Sequence, residues 1–277
     1  MSTGPTTGRH TLPARWLAQA LAVAMLLLVA GCGGDSVGDT TTLTADNATA
    51  AVTPTSAAVT TTTAAVAVAG LVWSRVQHDE AIFADPRGQQ GMLSVTAGGP
   101  GLVAVGWDES GGDGDAAVWT SRDGLSWSRL PHDESIFGGP GRQVVYSVVV
   151  GGPGLVAVGS DCSGGDWGDC DAAVWTSRDG LIWSRVPHDG AVLGGPGWQL
   201  MFSVTVGGPG LVAVGRAVWT SADGLIWSRV PHDEGVPGGG TMLEVTAGGP
   251  GLVAVGWEGE TYEGDTDAAV WVSPPPG

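Results

Sequence analysis

This 277-residue chain has no lysine at all; its 11 basic residues are all arginines, set against 28 acidic ones, for a formal net charge of −17 at pH 7. Nucleic-acid affinity rests on basic residues that displace counterions from the phosphate backbone, so a chain this acidic is excluded from that class of partner. Charge is sparse throughout, at 14% of residues, and Phe (3) and Tyr (2) are scarce beside 13 Trp. Repetition of one Trp-containing unit accounts for that imbalance better than thirteen unrelated choices. The 48 Gly and 17 Pro argue for many tight turns instead of long helices. The apolar run Trp16–Ala30 falls short of the ~20 residues that a membrane-spanning helix requires.

That run follows Arg9 and Arg15 and ends in Val29-Ala30-Gly31-Cys32, the order of basic, apolar and small residues found in a secretory signal. The four-residue ending resembles the lipobox of bacterial lipoproteins. The resemblance implies that residues 1–31 are a signal peptide and that Cys32 receives a diacylglyceryl group and becomes the new N-terminus. It also implies a protein anchored in the cell membrane on its extracytoplasmic side; an ordinary signal peptide is the plainer alternative. Residues 32–69 are rich in Thr, Ala, Ser and Gly and nearly uncharged. Such a composition buries too little to offset the entropy of ordering, so a disordered tether is expected there.

Residues 70–277 read as a repeat domain. Thr120 to Arg129 returns as Thr176 to Arg185 and Thr220 to Arg229, while Leu71–Arg75 matches its second half and Ala269–Ser273 its first. Trp73, Trp127, Trp183 and Trp227 mark one position at intervals of 54, 56 and 44 residues, a period typical of propeller blades. Each unit predicts two inner strands joined through Gly-Gly-Pro-Gly, with Pro100-Gly101 at the centre of a type II turn. A third strand (116–121) and a fourth (125–130) follow, joined by a turn carrying Asp123-Gly124. The runs Leu-Val-Ala-Val and Ala-Ala-Val-Trp do not alternate, as expected where both faces of a sheet are covered. The expectation is an all-β, four-bladed propeller whose N-terminal strand, Leu71–Val76, closes the last blade. A ring shared between two chains is the alternative to a monomer.

Ser121-x-Asp123-Gly124-x-x-Trp127 recurs with Ser177, Asp179, Gly180 and Trp183, and with Ser221, Asp223, Gly224 and Trp227. It resembles the Asp-box, or BNR repeat, of sialidases and other extracellular propellers, one residue shorter than the usual spacing. The resemblance implies a structural role: Asp and Ser bond to the turn backbone and Trp packs over it. Sialidases also use an arginine triad and a Tyr–Glu nucleophile pair. Here Arg75, Arg129, Arg185 and Arg229 occupy one repeated outer-strand position, and only Tyr146 and Tyr262 could serve as nucleophile. A degenerate sialidase-like glycoside hydrolase is therefore the alternative to a binding or scaffolding module for a glycan, protein or cation.

Four further features bear on binding. His78-Asp79, His132-Asp133, His188-Asp189 and His232-Asp233 follow the outer strands; they supply metal-ligand chemistry, but adjacent residues of an extended segment point apart, which favours a structural role. Acidic loops holding Asp108, Asp113 and Asp115, and at the end of the chain Asp265 and Asp267, are candidate Ca²⁺ ligands or plain solvated loops. Cys162 and Cys170 flank one such loop and should oxidise to a disulfide outside the cytoplasm. In the third unit the loop is deleted, so that Gly215-Arg216 joins the strands directly and leaves a candidate ligand notch with Arg216 as its positive point.

Overall fold

A computed structural model describes residues 72–84, 87–112, 114–163, 169–208, 210–231, 240–249, 251–260 and 265–274, with the backbone alone for Glu260 and Asp265. Cys32, the tether and Leu71 lie outside these residues, as do Asp113, Trp167, His232, Asp233 and Tyr262.

The chain is built from four antiparallel sheets taken in sequence order. The first holds β1 (Gln90–Gly98), β2 (Gly101–Asp108), β3 (Asp115–Ser121) and β4 (Trp127–Arg129). The second holds β5 (Gln143–Gly151), β6 (Gly154–Asp161), β7 (Asp171–Ser177) and β8 (Trp183–Arg185). In the third, β9 (Met201–Gly207), β10 (Gly210–Gly215), β11 (Val218–Ser221) and β12 (Ser228–Arg229) repeat the pattern. The last has three strands, β13 (Thr241–Gly248), β14 (Gly251–Glu260) and β15 (Asp265–Ser273). Two single-turn helices, α1 (Glu80–Phe83) and α2 (Glu134–Phe137), precede the first and second sheets.

Each sheet stacks face to face on the next, which is why its apolar runs do not alternate. Val103, Val105 and Val118 of the first sheet meet Val145, Val148, Leu155 and Trp175 of the second in one buried cluster. Val156, Val158 and Val174 repeat the contact against Met201, Val204 and Leu211 of the third, and Val212 and Val214 against Met242 and Val245 of the fourth. A β-bulge makes this possible. Val145 and Val148 are three residues apart and would point to opposite faces of a regular strand. The register shift between Val145 and Ser147 restores their parity, and equivalent shifts follow Met92 and Met242. The glycine closing each second-strand run accommodates the bulge: a Cβ on Gly106 would lie 1.8 Å from Gly91 O, and one on Gly159 1.8 Å from Val144 O.

Two local expectations are corrected. The inner hairpin turns at Gly99-Pro100, not Pro100-Gly101, because Gly98 pairs with Gly101 and Gly99 takes φ 55°. A positive φ at the first loop position is the type II′ pattern, whose twist matches that of the flanking strands where a type II turn would splay them. The outer strands are also shorter than 125–130, since the residues after each Asp are held by its carboxylate instead of a partner strand.

The expected closure by the N-terminal strand is not made. Residues 72–79 carry no strand, Trp73 is 87% exposed, and β15 has no fourth strand beside it among the described residues.

Candidate functional site

The three Ser-x-Asp-Gly turns repeat one local geometry among the described residues. Asp123 Oδ1 accepts from Leu125 N (2.8 Å) and Ser126 N (2.7 Å), Ser121 Oγ accepts from Gly124 N (2.9 Å), and Trp127 Nε1 donates to Gly124 O (3.1 Å). Asp179 and Asp223 bind Leu181, Ile182, Leu225 and Ile226 in the same way, at 2.8 to 2.9 Å. These backbone bonds hold all three carboxyls below the usual aspartate range. The turns of the second and third sheets also receive the hairpin tip of the preceding sheet: a Cβ on Gly99 would lie 2.7 Å from Asp179 O, and one on Gly152 2.5 Å from Asp223 O. The turns hold sheets together, and their side chains are consumed in doing so.

The His-Asp pairs divide between two tasks. Asp79 and Asp133 are N-caps, accepting from Ala81 N (2.9 Å) and Ser135 N (3.0 Å), and Asp189 accepts from Ala191 N (2.9 Å). Two of the histidines turn to the base of the third strand, with His132 Nε2 3.7 Å from Asp115 and His188 Nε2 3.3 Å from Asp171, whereas His78 Nδ1 lies 3.1 Å from the Arg75 guanidinium. Each capped segment covers a buried tryptophan. Trp119 Nε1 donates to Ile82 O (3.0 Å), Trp175 Nε1 to Ile136 O (2.6 Å) and Trp219 Nε1 to Val192 O (2.8 Å).

The candidate calcium residues are not gathered at one place. Asp108 is 1% exposed, accepts from Ser110 N (2.8 Å) and Ser110 Oγ (3.0 Å), and pairs with the Arg129 guanidinium. Asp115 stands opposite it in the β2–β3 register and lies with His132 and Glu134 in a mostly exposed group whose ligand atoms fall within 4.8 Å of one another. Asp267 is exposed on the last sheet opposite Glu258; Asp265 faces Glu260 by register, and Asp113 lies outside the described residues. Cys162 and Cys170 are joined by a disulfide across the second sheet's loop. Tyr146 packs against Phe202 with ring centroids 5.1 Å apart, and burial raises its hydroxyl above the usual tyrosine range.

The notch at Arg216 has a defined geometry. In the first two sheets the second strand ends in an aspartate that pairs with the outer-strand arginine: Asp108 with Arg129, and Asp161 with Arg185. Asp161 also accepts from Gln143 Nε2 (2.9 Å) and from Ser163 N (2.9 Å) and Oγ. Burial pushes its carboxyl up, but these bonds and the Arg185 charge outweigh burial and leave it below the usual range.

The third sheet keeps the socket and loses the carboxylate. Its second strand stops at Gly215, and Gly215 N donates to Ala217 O (2.9 Å) in a tight connection with no aspartate. Arg229, the counterpart of Arg185, donates instead to Gly194 O (3.1 Å), and Gln199, the counterpart of Gln143, donates to Pro196 O (3.0 Å) as Gln143 does to Pro140 O (3.4 Å). Between them lies an open pocket of about 340 Å³ lined by Pro196, Gly197, Trp198, Gln199, Arg216, Arg229 and Gly240. Arg216 sits over the Trp198 ring at 5.6 Å from its centroid. Gln199 Oε1 is buried without a protein partner; since Gln143 Oε1 is too, that acceptor belongs to the repeat and does not mark the pocket.

The sequence pointed to Arg216 but not to Arg229, Gln199 or Trp198. The signal was present: the recurring Gln at the start of the first strand, and the Asp after Gly-Trp and Gly-Ser that has no counterpart after Gly215. Compared with protein-family models and with curated proteins, the chain matches none.

Proposed function

We propose that this chain is a lipid-anchored, extracytoplasmic binding module in which the four sheets are Asp-box propeller blades and the notch of the third sheet captures a carboxylate-bearing sugar. The signal peptide ending at Gly31 and the lipidated Cys32 belong to this reading, on the residue order alone.

One observation carries it. The chain builds the same carboxylate socket in three sheets and fills it with its own aspartate in only two. In the third, two guanidiniums and an amide line a pocket of about 340 Å³ where that carboxylate would lie. Pockets of this size accommodate small ligands, and arginine forks suit planar carboxylates. Trp198, 40% exposed beneath Arg216, adds an aromatic wall to the same pocket.

The test is calorimetric titration with glucuronic acid against glucose. The acid is expected to bind and the neutral sugar not, and Arg216→Ala should weaken the acid at least ~10-fold, the loss of one charge-assisted contact of ~1.5–3 kcal/mol. Equal binding of both sugars, or an unaltered Arg216→Ala variant, would refute the carboxylate reading.

A further inference from the structure

The two ends of the stack are made of residues that the interior buries. Met92 and Val95 of the first sheet are 40% and 60% exposed. Their counterparts by register, Val145 and Val148 in the second sheet, Met201 and Val204 in the third, and Met242 and Val245 in the fourth, are between 0% and 6% exposed. At the other end Val255 and Val270 are 43% and 67% exposed, while the equivalent Val105 and Val118 are 0% and 3%. One face is therefore shaped to receive a sheet and the other to be received, since every interior junction joins these same two surfaces. Burial of such area is the main favourable term in association.

A second, independent mismatch lies at the same two ends. Val72-Trp73-Ser74-Arg75 repeats the outer-strand sequence and leads into α1 as β4 leads into α2, with Arg75 standing as far ahead of Glu80 as Arg129 stands ahead of Glu134. Yet it pairs with no strand, and Trp73 is 87% exposed where Trp183 and Trp227 are 3% and 6%. The fourth sheet, conversely, presents β15, nine residues long, as an edge with no strand beside it among the described residues. Unprotected edges of this length pair with another strand when one is offered.

We infer that a second copy of this chain docks head to tail, its first sheet covering Val255 and Val270 and its Val72–Arg75 segment forming the missing outer strand beside β15. The register follows from β3–β4, where Trp119 pairs with Arg129, Thr120 with Ser128 and Ser121 with Trp127. It places Arg75 of the second copy opposite Trp271, Ser74 opposite Val272 and Trp73 opposite Ser273. The contact is heterologous, so two copies that repeat it reciprocally close into one ring. Eight sheets lie within the range of propellers, which remove their free edges by closure of this kind. The same interface within one chain would require the first and fourth sheets to meet, and both of their outer faces are open here.

The experiment uses the full chain, expressed for export in two differently tagged versions, one Ser74→Cys and the other Val272→Cys. A short bismaleimide is added to membranes from co-expressing cells. The expected result is a cross-linked product carrying both tags, at least tenfold above either variant alone. Adding Val270→Glu or Val255→Glu to the Val272→Cys chain should abolish it while leaving the circular-dichroism spectrum of the folded chain unchanged, since both valines are exposed in the single chain. Failure to form the two-tag product would overturn the inference. If a chain carrying both cysteines then cross-links within itself, the closure is intramolecular; if neither does, Val72–Arg75 is not the missing strand.

Discussion

Removing the carboxylate of the second sheet should convert its filled socket into a second anion site. Asp161→Ala deprives Arg185 and Gln143 of their shared partner. Breaking a fully buried ion pair costs about 3–5 kcal/mol. Here the side chains of Arg185 and Asp161 are 23% and 18% exposed, so water reaches the orphaned guanidinium and the cost falls to about 2–3 kcal/mol. For a unit of this size each kcal/mol is worth ~2–4 °C, so the melting temperature should drop by roughly 4–12 °C. Acetate should then restore part of the loss. At about ten times its dissociation constant it returns ~1.4 kcal/mol, or roughly 3–6 °C, to the variant and nothing to the parent second sheet. The assay is scanning calorimetry of both proteins in acetate and in chloride at matched ionic strength. A drop under ~1 °C would show that the socket does not hold its own carboxylate. A full drop without acetate rescue would show that the socket cannot accept a foreign one, and would remove the ground for reading the third-sheet notch as a ligand site.

Stability should fall in acid. Asp123, Asp179 and Asp223 are held below the usual aspartate range by backbone hydrogen bonds, and Asp133 by the hydroxyl and then the N–H of Ser135. The folded chain thus binds fewer protons than the unfolded one; the stabilisation is complete above about pH 4 and is lost as pH falls through the lowered values, with Asp171, raised by burial, opposing in part. A melt series from neutral pH downward should be flat and then fall, and Asp179→Asn should flatten the acid limb. Asp223→Ala removes the acceptor for Leu225 N and Ile226 N and should destabilise the chain, read as a lower denaturant midpoint at unchanged slope. Reduction of Cys162–Cys170, which closes a short loop, should cost ~2–3 kcal/mol yet leave sugar-acid titrations at the notch unaltered. Because each copy carries −17, association should tighten as salt rises from ~0.01 to ~0.15 M and the Debye length shrinks from ~30 to ~8 Å, measured by sedimentation.

Much of this architecture is legible in the chain because the repeat states it several times. The unbroken run at Val156–Val158 announces a strand covered on both faces, and that strand is sandwiched between two sheets; the same run at Val103–Val105 lies in an end sheet that has a neighbouring sheet on one face. What stayed hidden depends on partners distant in sequence. The bulge beside Ser147 is visible only as the glycine opposite it, Gly159, which reads in isolation as the end of a strand. Asp79 and Asp133 are legible as structural residues beside their histidines, but not as caps, because the helices they cap are too short to produce a helical period. Arg216 stood out because its loop is missing, whereas Arg229 looked like Arg129 and Arg185 until the loss of its carboxylate was seen in three dimensions.

A repeat scaffold faces a particular difficulty in making one binding site, because any feature written into the unit is written into every copy. The Ser-x-Asp-Gly turns and capped segments illustrate it: they recur, and in the second and third sheets they are absorbed by packing between neighbouring sheets. A single site therefore requires a departure from the unit at one position, and the least disruptive departure removes a surface loop while leaving the sheet intact. The third sheet has this form. Val212, Val214 and Trp219 are buried as their counterparts are, so the deletion before Ala217 does not disturb the stacking. Its effect is confined to the loop end of the sheet, where a pair that elsewhere neutralises itself is left with its cation and without its anion. Restoring an aspartate after Gly215, by grafting the second unit's Gly-Ser-Asp ending into the third, should accordingly raise stability and abolish sugar-acid binding together. A graft that stabilises the chain and still binds the acid would show that ligand recognition does not use the vacated socket.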